Sequence, residues 1–271
     1  MQIENKVAVV TGGGSGIGRA LAIELARNGA QVVIGDLDEH KATDAAKRIG
    51  DAATSVQADA STVDGITSLI AGAERHFGSV DLFVANAGIM GATGLGDTGD
   101  WDKILAINLR AHINAAELLL PGWLTRGSGY FVSVASAAGL LTQLGSAGYA
   151  VTKHAAVGFA EWLAITHSED GIGVSCVCPL GVDTPLLDAV RSSQGPSSQI
   201  SARSIIKSGR VISAAEVAAE TIDAIREDRF MVLPHREVLD MFRGKGADYD
   251  DWVARMRRVQ RSLRRDVTEP Q

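Results

Sequence analysis

The chain has 271 residues, 46% of them hydrophobic, which suits one α/β domain with a sizeable core. Its formal net charge of −6 argues against a general nucleic-acid surface. No basic segment leads into an apolar stretch at the start, and no run of about 18 apolar residues occurs, so neither a signal peptide nor a membrane span is expected.

Lys6 to Thr11 (KVAVVT) is a short valine-rich run that suits a buried parallel strand. It leads directly into Gly12-Gly13-Gly14-Ser15-Gly16-Ile17-Gly18, and an amphipathic helix pattern follows over 17–28. Strand, glycine turn and helix together form a phosphate-binding geometry. The glycines let the backbone approach a pyrophosphate, and the helix N-terminus offers free N–H groups and a positive dipole end. The spacing is T-G-x-x-x-G-x-G, on Thr11, Gly12, Gly16 and Gly18, and no register fits the commoner G-x-G-x-x-G. A second apolar run, 31–35, ends at Asp36, with Leu37 after it. A carboxylate there accepts hydrogen bonds from both ribose hydroxyls of NAD and repels the 2′-phosphate of NADP, so NAD is the expected cofactor. A turn residue, or a cap for the next helix, is the other reading of Asp36.

Further strands are expected at 54–58, 80–85, 129–135, 172–178 and 230–233. Helices are expected at 39–48, 62–76, 100–119, 148–168 and 214–226, with one or two more near the C-terminus. This alternation implies a Rossmann-type doubly wound parallel sheet of about seven strands, with helices on both faces. Residues 1–271 are taken as one domain. Ligands in such sheets sit at the carboxyl ends of the strands, and Gly12, Asp36, Asp59, Asn86, Ser136 and Pro179 all fall just after an expected strand. Cys176 and Cys178 lie two apart in one strand, on one face and poorly placed for a disulfide. No cluster of His or further Cys joins them, so no metal is expected, and two reduced thiols suit a cytoplasmic protein.

Ser136, Tyr149 and Lys153 are spaced 13 and then 4 apart. On a helix, Tyr149 and Lys153 share one face. An ammonium beside a phenol favours the phenolate and lowers a pKa that starts near about 10, toward the range useful for acid–base work. A serine hydroxyl nearby can hydrogen-bond the substrate oxygen whose proton moves.

The stretch 185–213 breaks the rhythm, being rich in Ser, Gly and Gln, and is expected to be an irregular, mobile substrate lid. Beyond it, a helical extension is expected near 236–265. There Trp252, Val253, Met256, Val259 and Leu263 form an apolar stripe that should pack on the body or on a neighbouring subunit, leaving six arginines to solvent.

Taken together, the glycine pattern and the Ser136, Tyr149, Lys153 set resemble the short-chain dehydrogenase/reductase family over roughly residues 5–235. The resemblance implies hydride transfer between a nicotinamide cofactor and a carbinol carbon. It makes Tyr149 the general acid/base, has Lys153 bond the nicotinamide ribose as well, and has Ser136 position the substrate oxygen. Asn108 stands where the family places an asparagine that holds a water in a proton relay with the lysine, the other reading being a helix-kink residue bonded to backbone. Asp59, with Ala60 beside it, looks like the family's adenine-contacting aspartate, and Asn86-Ala87-Gly88 matches its N-A-G turn. After the sixth strand the family usually has Pro-Gly, whereas here the sequence is Pro179-Leu180-Gly181-Val182-Asp183-Thr184. Pro179, Val182 and Thr184 still fit cofactor contacts, but Leu180 puts in doubt the backbone path beside the nicotinamide.

The loop between Ser136 and Tyr149 borders the substrate in this family. Ala138, Leu140, Leu141 and Leu144, with Ile89 and Met90, would make an apolar wall, and Gln143 a single polar handle. A hydrophobic secondary alcohol or ketone is therefore expected as the small-molecule partner, with no nucleic acid and no membrane. An NADPH-dependent ketoreductase of the acyl-carrier type is the alternative, and an NAD sensor without turnover is a third. Family members are commonly dimers or tetramers joined through the two long helices, so a homodimer or homotetramer is expected.

Overall fold

A valine-rich strand, β1 (Val7–Thr11), is buried along its whole length at the centre of a parallel sheet. The computed structural model describes residues 1–268. The other strands of this sheet are β2 (Gln31–Asp36), β3 (Ala53–Gln57), β4 (Leu82–Ala85), β5 (Gly129–Val134), β6 (Ile172–Val177) and β9 (Met231–Val232). They lie in the order β3-β2-β1-β4-β5-β6-β9, and every neighbouring pair is parallel. Two further short strands, β7 (Val182–Asp183) and β8 (Ile212–Ser213), pair with each other beside it. The direction of winding reverses between β1 and β4. Two outgoing crossovers therefore diverge there and leave a crevice at the carboxyl ends.

One face of the sheet is covered by α1 (Gly16–Arg27), α2 (Glu39–Ile49) and α9 (Ala214–Glu227), through Leu21, Leu25, Ala45, Val217 and Ile222 among others. The opposite face is covered by α3 (Val63–His76), α5 (Ala111–Arg126) and α6 (Ala147–His167), through Ile66, Leu69, Ala115, Leu119, Ala156 and Leu163. Cys176 and Cys178 are both free and buried, with sulfurs 3.8 Å apart.

Two expectations require correction. The single helix expected at 100–119 is three pieces: α4 (Thr98–Leu105), a π-helical turn at Ala106–Arg110, and α5, which continues through Pro121 to Arg126. Pro121 costs α5 one main-chain bond, and the buried face on either side of it (Leu119, Trp123) holds the helix through. The stretch 185–213 is not irregular. It holds α7 (Pro185–Ser192) and α8 (Pro196–Ser208), each with proline in its first turn. The Thr184 hydroxyl caps α7, accepting from the Leu187 N–H at 3.5 Å. Ser198 and Ser201 are buried in α8 beside Ile200, which is why the polar composition misled.

The C-terminal extension is two helices, α10 (Glu237–Ala247) and α11 (Tyr249–Thr268), and α11 packs across α8. Among the described residues, no helix is long and apolar enough to cross a membrane.

Candidate active site

At the mouth of the crevice, β1 runs into the glycine turn, and the turn is tied to the strand beside it. The Thr11 hydroxyl accepts the main-chain N–H groups of Asn86 (3.0 Å) and Ala87 (3.1 Å). The Asn86 side-chain amide donates to the Thr11 carbonyl at 2.8 Å. Gly16 has φ +50°, a conformation that side chains resist. A Cβ on Gly18 would overlap the Gly12 carbonyl oxygen and the Asn86 amide. The first turn of α1 is thereby drawn close to β1, and Ser15, Gly16 and Ile17 at its start line the crevice. Such a bare-backbone cradle fits a pyrophosphate, so the residues present match a dinucleotide.

Asp36 closes β2 beside this turn. One carboxylate oxygen accepts the Gly14 N–H and the other the Asp38 N–H, both at 3.0 Å. The helix cap is Asp38, whose side chain accepts from the Lys41 N–H at 3.2 Å, so the cap reading of Asp36 is corrected. Asp59 folds onto Ser61, accepting its N–H at 2.9 Å and its hydroxyl at 2.7 Å.

A continuous cavity of about 910 Å³ occupies the crevice. Gly12, Ser15, Gly16, Ile17, Asp36 and Leu37 line its first part, then Asp59, Ala60, Asn86, Ala87 and Gly88. Ser136, Ala138, Leu144, Tyr149, Lys153, Pro179, Val182 and Thr184 line the remainder. Of the expected site residues, Gly18, Asn108 and Leu140 do not line it, and Leu140 is buried in the core instead. Gly18 packs beneath the glycine turn, and Asn108 is fully buried.

Tyr149 and Lys153 sit one turn apart on α6, whose N-cap Ser146 accepts the Tyr149 N–H. The Lys153 ammonium lies 5.7 Å from the centre of the Tyr149 ring and donates to the Val134 carbonyl at 2.9 Å. Burial pulls its pKa down to about 8. The expected lowering of the Tyr149 pKa is not what the surroundings produce. Burial pushes the phenol up, with the nearby Ser136 hydroxyl acting in the opposite direction. The Ser136 hydroxyl also accepts the Ala138 N–H at 3.1 Å, which fixes it at the head of a short turn, Ala137–Gly139.

Asn108 sits in the π-helical turn. Its Oδ1 accepts the Ile89 N–H and its Nδ2 donates to the Ile89 carbonyl, both at 2.9 Å, while Nδ2 also reaches the Thr152 hydroxyl at 3.2 Å. The side chain thus pins the segment after Gly88. A Cβ on Gly88 would lie 3.4 Å from Asn108 Oδ1 and 3.5 Å from Lys153 Nζ, so these two groups converge on one small residue.

Leu180, at the position where glycine was expected, is held by a side chain that no motif marks. Its N–H donates to His235 Nδ1 at 3.1 Å, and Nε2 of that buried imidazole is 2.9 Å from the Arg210 carbonyl. The geometry sets one tautomer, with the proton on Nε2. Gln143 is not a free handle: its amide nitrogen donates to Leu144 O (2.9 Å) and Ser204 Oγ (2.8 Å), lashing the loop to α8. The remaining wall was also missed as a wall. Met241 of α10 and Trp252, Met256 and Leu263 of α11 face the cavity. The apolar stripe itself was visible in the sequence, but its target was not.

The family profile of the short chain dehydrogenases matches residues 6–195. The sex determination protein tasselseed-2 of Zea mays is 36% identical over 198 residues, 69% of this chain and 58% of that protein. A D-beta-hydroxybutyrate dehydrogenase of Cupriavidus necator is 35% identical over 190 residues, 68% of this chain and 74% of its own. Among solved structures, a short chain dehydrogenase/reductase from Burkholderia phymatum in complex with NAD superposes with a TM-score of 0.83 at 31% identity, covering 92% of this chain and 96% of that one. The crevice, the glycine cradle and these likenesses agree: the chain belongs to the short-chain dehydrogenase/reductase family of oxidoreductases.

Proposed function

We propose that the protein interconverts an apolar secondary alcohol and its ketone with NAD(H) as cofactor. The observation that carries this reading is the place where Ser136, Tyr149 and Lys153 meet. They line one continuous cavity together with Asp36 and with Leu141, Leu144, Met241, Trp252 and Met256, which supports a cofactor and an apolar substrate meeting there.

Bound NAD supplies the hydride acceptor for alcohol oxidation. Tyr149 in its phenolate form takes the hydroxyl proton of the alcohol, and as the phenol it gives that proton back in the reverse direction. Ser136 bonds the same substrate oxygen and orients it. Lys153 stabilises the phenolate as it forms and bonds the ribose. Asn108 holds the Ile89 backbone and serves the proton path from Lys153. Asp36 accepts the ribose hydroxyls and disfavours a 2′-phosphate, and the exposed Leu37 beside it offers that phosphate no cation. NAD binding by the Burkholderia phymatum neighbour supports this assignment. The apolar wall disfavours polyols, whose hydroxyls would lack partners. Helices α7 and α8 act as the substrate lid. Leu118, Val151, Trp162 and Ile165 on α5 and α6 are exposed, which supports a homodimer or homotetramer joined there.

The test is a fluorescence titration with NAD and NADP, followed by oxidation assays on apolar secondary alcohols. Tight NAD, weak NADP and turnover are expected. Tyr149→Phe should lower kcat by at least about 100-fold and leave NAD affinity within twofold. Tighter NADP binding, or full activity in Tyr149→Phe, overturns the assignment.

A further inference from the structure

Lys245 of α10 is only 6% exposed, and its ammonium is spent on neutral partners from three other parts of the chain. It donates to the carbonyls of Leu140 (2.8 Å) and Leu141 (2.9 Å), and His154 Nε2 lies at 3.4 Å. His154 Nδ1 is 2.8 Å from the Ala150 carbonyl, so its proton sits on Nδ1 and Nε2 is free to accept. The rings of Tyr249 and Trp252 close the cage, with centres 5.3 and 4.9 Å from the ammonium. Three N–H donors thus meet three acceptors, over two aromatic faces.

The two carbonyls end the turn that Ser136 begins. The N–H groups of Leu140 and Leu141 both fold back onto the Ala137 carbonyl, at 3.1 and 2.8 Å. Their own carbonyls therefore project from the turn's C-terminal end, where a cation is favoured. The Ser136 hydroxyl caps one end of this turn and Lys245 the other. The residues that carry the clamp also shape the cavity: Leu141 and Trp252 line it, and so does Met241, one helical turn from Lys245. A methionine at 245 would fill similar space without bonding the turn, so packing alone does not account for a buried ammonium here.

We infer that Lys245 is a positioning residue that sets the width of the substrate pocket, by clamping α10 and α11 to the turn that carries Ser136. The pocket consequence rests on the alcohol–ketone reading above, whereas the clamp itself does not.

The experiment compares wild type with Lys245→Met by hydrogen exchange and by substrate selectivity. Backbone exchange of 138–145 should rise at least about tenfold in the variant, with β1 to β4 unchanged. NAD affinity should stay within twofold. The ratio of kcat/KM for menthol over cyclohexanol should fall about tenfold, carried by KM for menthol, as a widened wall loses apolar contact. A merely structural role would raise exchange throughout and leave that ratio alone. Unchanged exchange at 138–145 overturns the clamp. Raised exchange with an unchanged ratio overturns the role in pocket width. If wild type oxidises neither alcohol, the alcohol–ketone reading falls and exchange alone decides the clamp. Should Lys245→Met not fold, Lys245→Gln, which keeps an amide donor without the charge, is judged by the same outcomes.

Discussion

Replacing Lys153 with methionine should stabilise the protein at neutral pH while removing its activity. The ammonium is buried in α6, and burial lowers its pKa from the ordinary 10.5 to about 8. The folded state thus prefers the neutral amine, and between those two pH values the unfolded chain binds more protons. Stability therefore rises with pH across that window and is lost as pH falls through it. At 1.36 kcal/mol per pH unit, the drop costs the wild type about 3 kcal/mol at pH 7. Against this, Lys153→Met gives up the bond to the Val134 carbonyl, worth about 1 kcal/mol. A net gain of about 1–2 kcal/mol is expected at pH 7. Urea unfolding without added nucleotide, at pH 7, 8, 9 and 10, gives the measurement. The advantage of the variant should shrink by about 2 kcal/mol between pH 8 and pH 10, as the wild-type lysine sheds its proton. Other groups titrate there in both proteins, so the difference between the two curves isolates Lys153. A wild type more stable at pH 7, or a gap of constant size, would refute the argument. Turnover should fall at least about 100-fold, because the phenolate of Tyr149 loses its cation.

Gly18→Ala should weaken NAD binding at least about tenfold in the same titration, because the new methyl drives α1 away from the Gly12 carbonyl. Wild-type affinity would mean that the close approach of α1 and β1 does not shape the cradle. His235→Phe removes the acceptor for the Leu180 N–H and the donor to Arg210, and should cost about 1–3 kcal/mol in urea unfolding, with KM for NAD raised. An unchanged KM would place the imidazole outside the nicotinamide side of the site. Ile165→Glu puts a charge on a residue 80% exposed on α6, and light scattering should show a smaller species than wild type. A monomeric wild type would refute the interface.

The sheet was legible because a buried parallel strand is a near-continuous apolar run, and β1 and β6 are such runs. The glycine turn and Asp36 were legible because each answers a local demand: a close backbone approach, or a carboxylate at a strand end. Tyr149 and Lys153 were legible from the period of one helix. What failed was non-local. The pull of Lys153 on Tyr149 was judged from adjacency, but the phenol's surroundings are set by the whole crevice, and burial prevails. Ser198 and Ser201 looked like loop residues because nothing local says they will be covered by other helices. His235 and Lys245 belong to no motif. Each acts by meeting main-chain groups 55 and 104–105 residues away, a pairing visible only once the chain is folded.

The cavity draws its walls from widely separated stretches. The cradle comes from residues 12–18, and the far wall from 241–263. On a ribosome, at about 5–20 residues per second, the cradle emerges many seconds before α11 does. The sheet can close while the substrate side still lacks its last helix, leaving Leu141 and Ile205 open to water. During that interval the nascent chain would expose apolar surface of the kind that makes incomplete folds prone to aggregate. The contacts of Lys245 with Leu140, Leu141, Tyr249 and Trp252 can form only after that interval, when the final pair of helices docks.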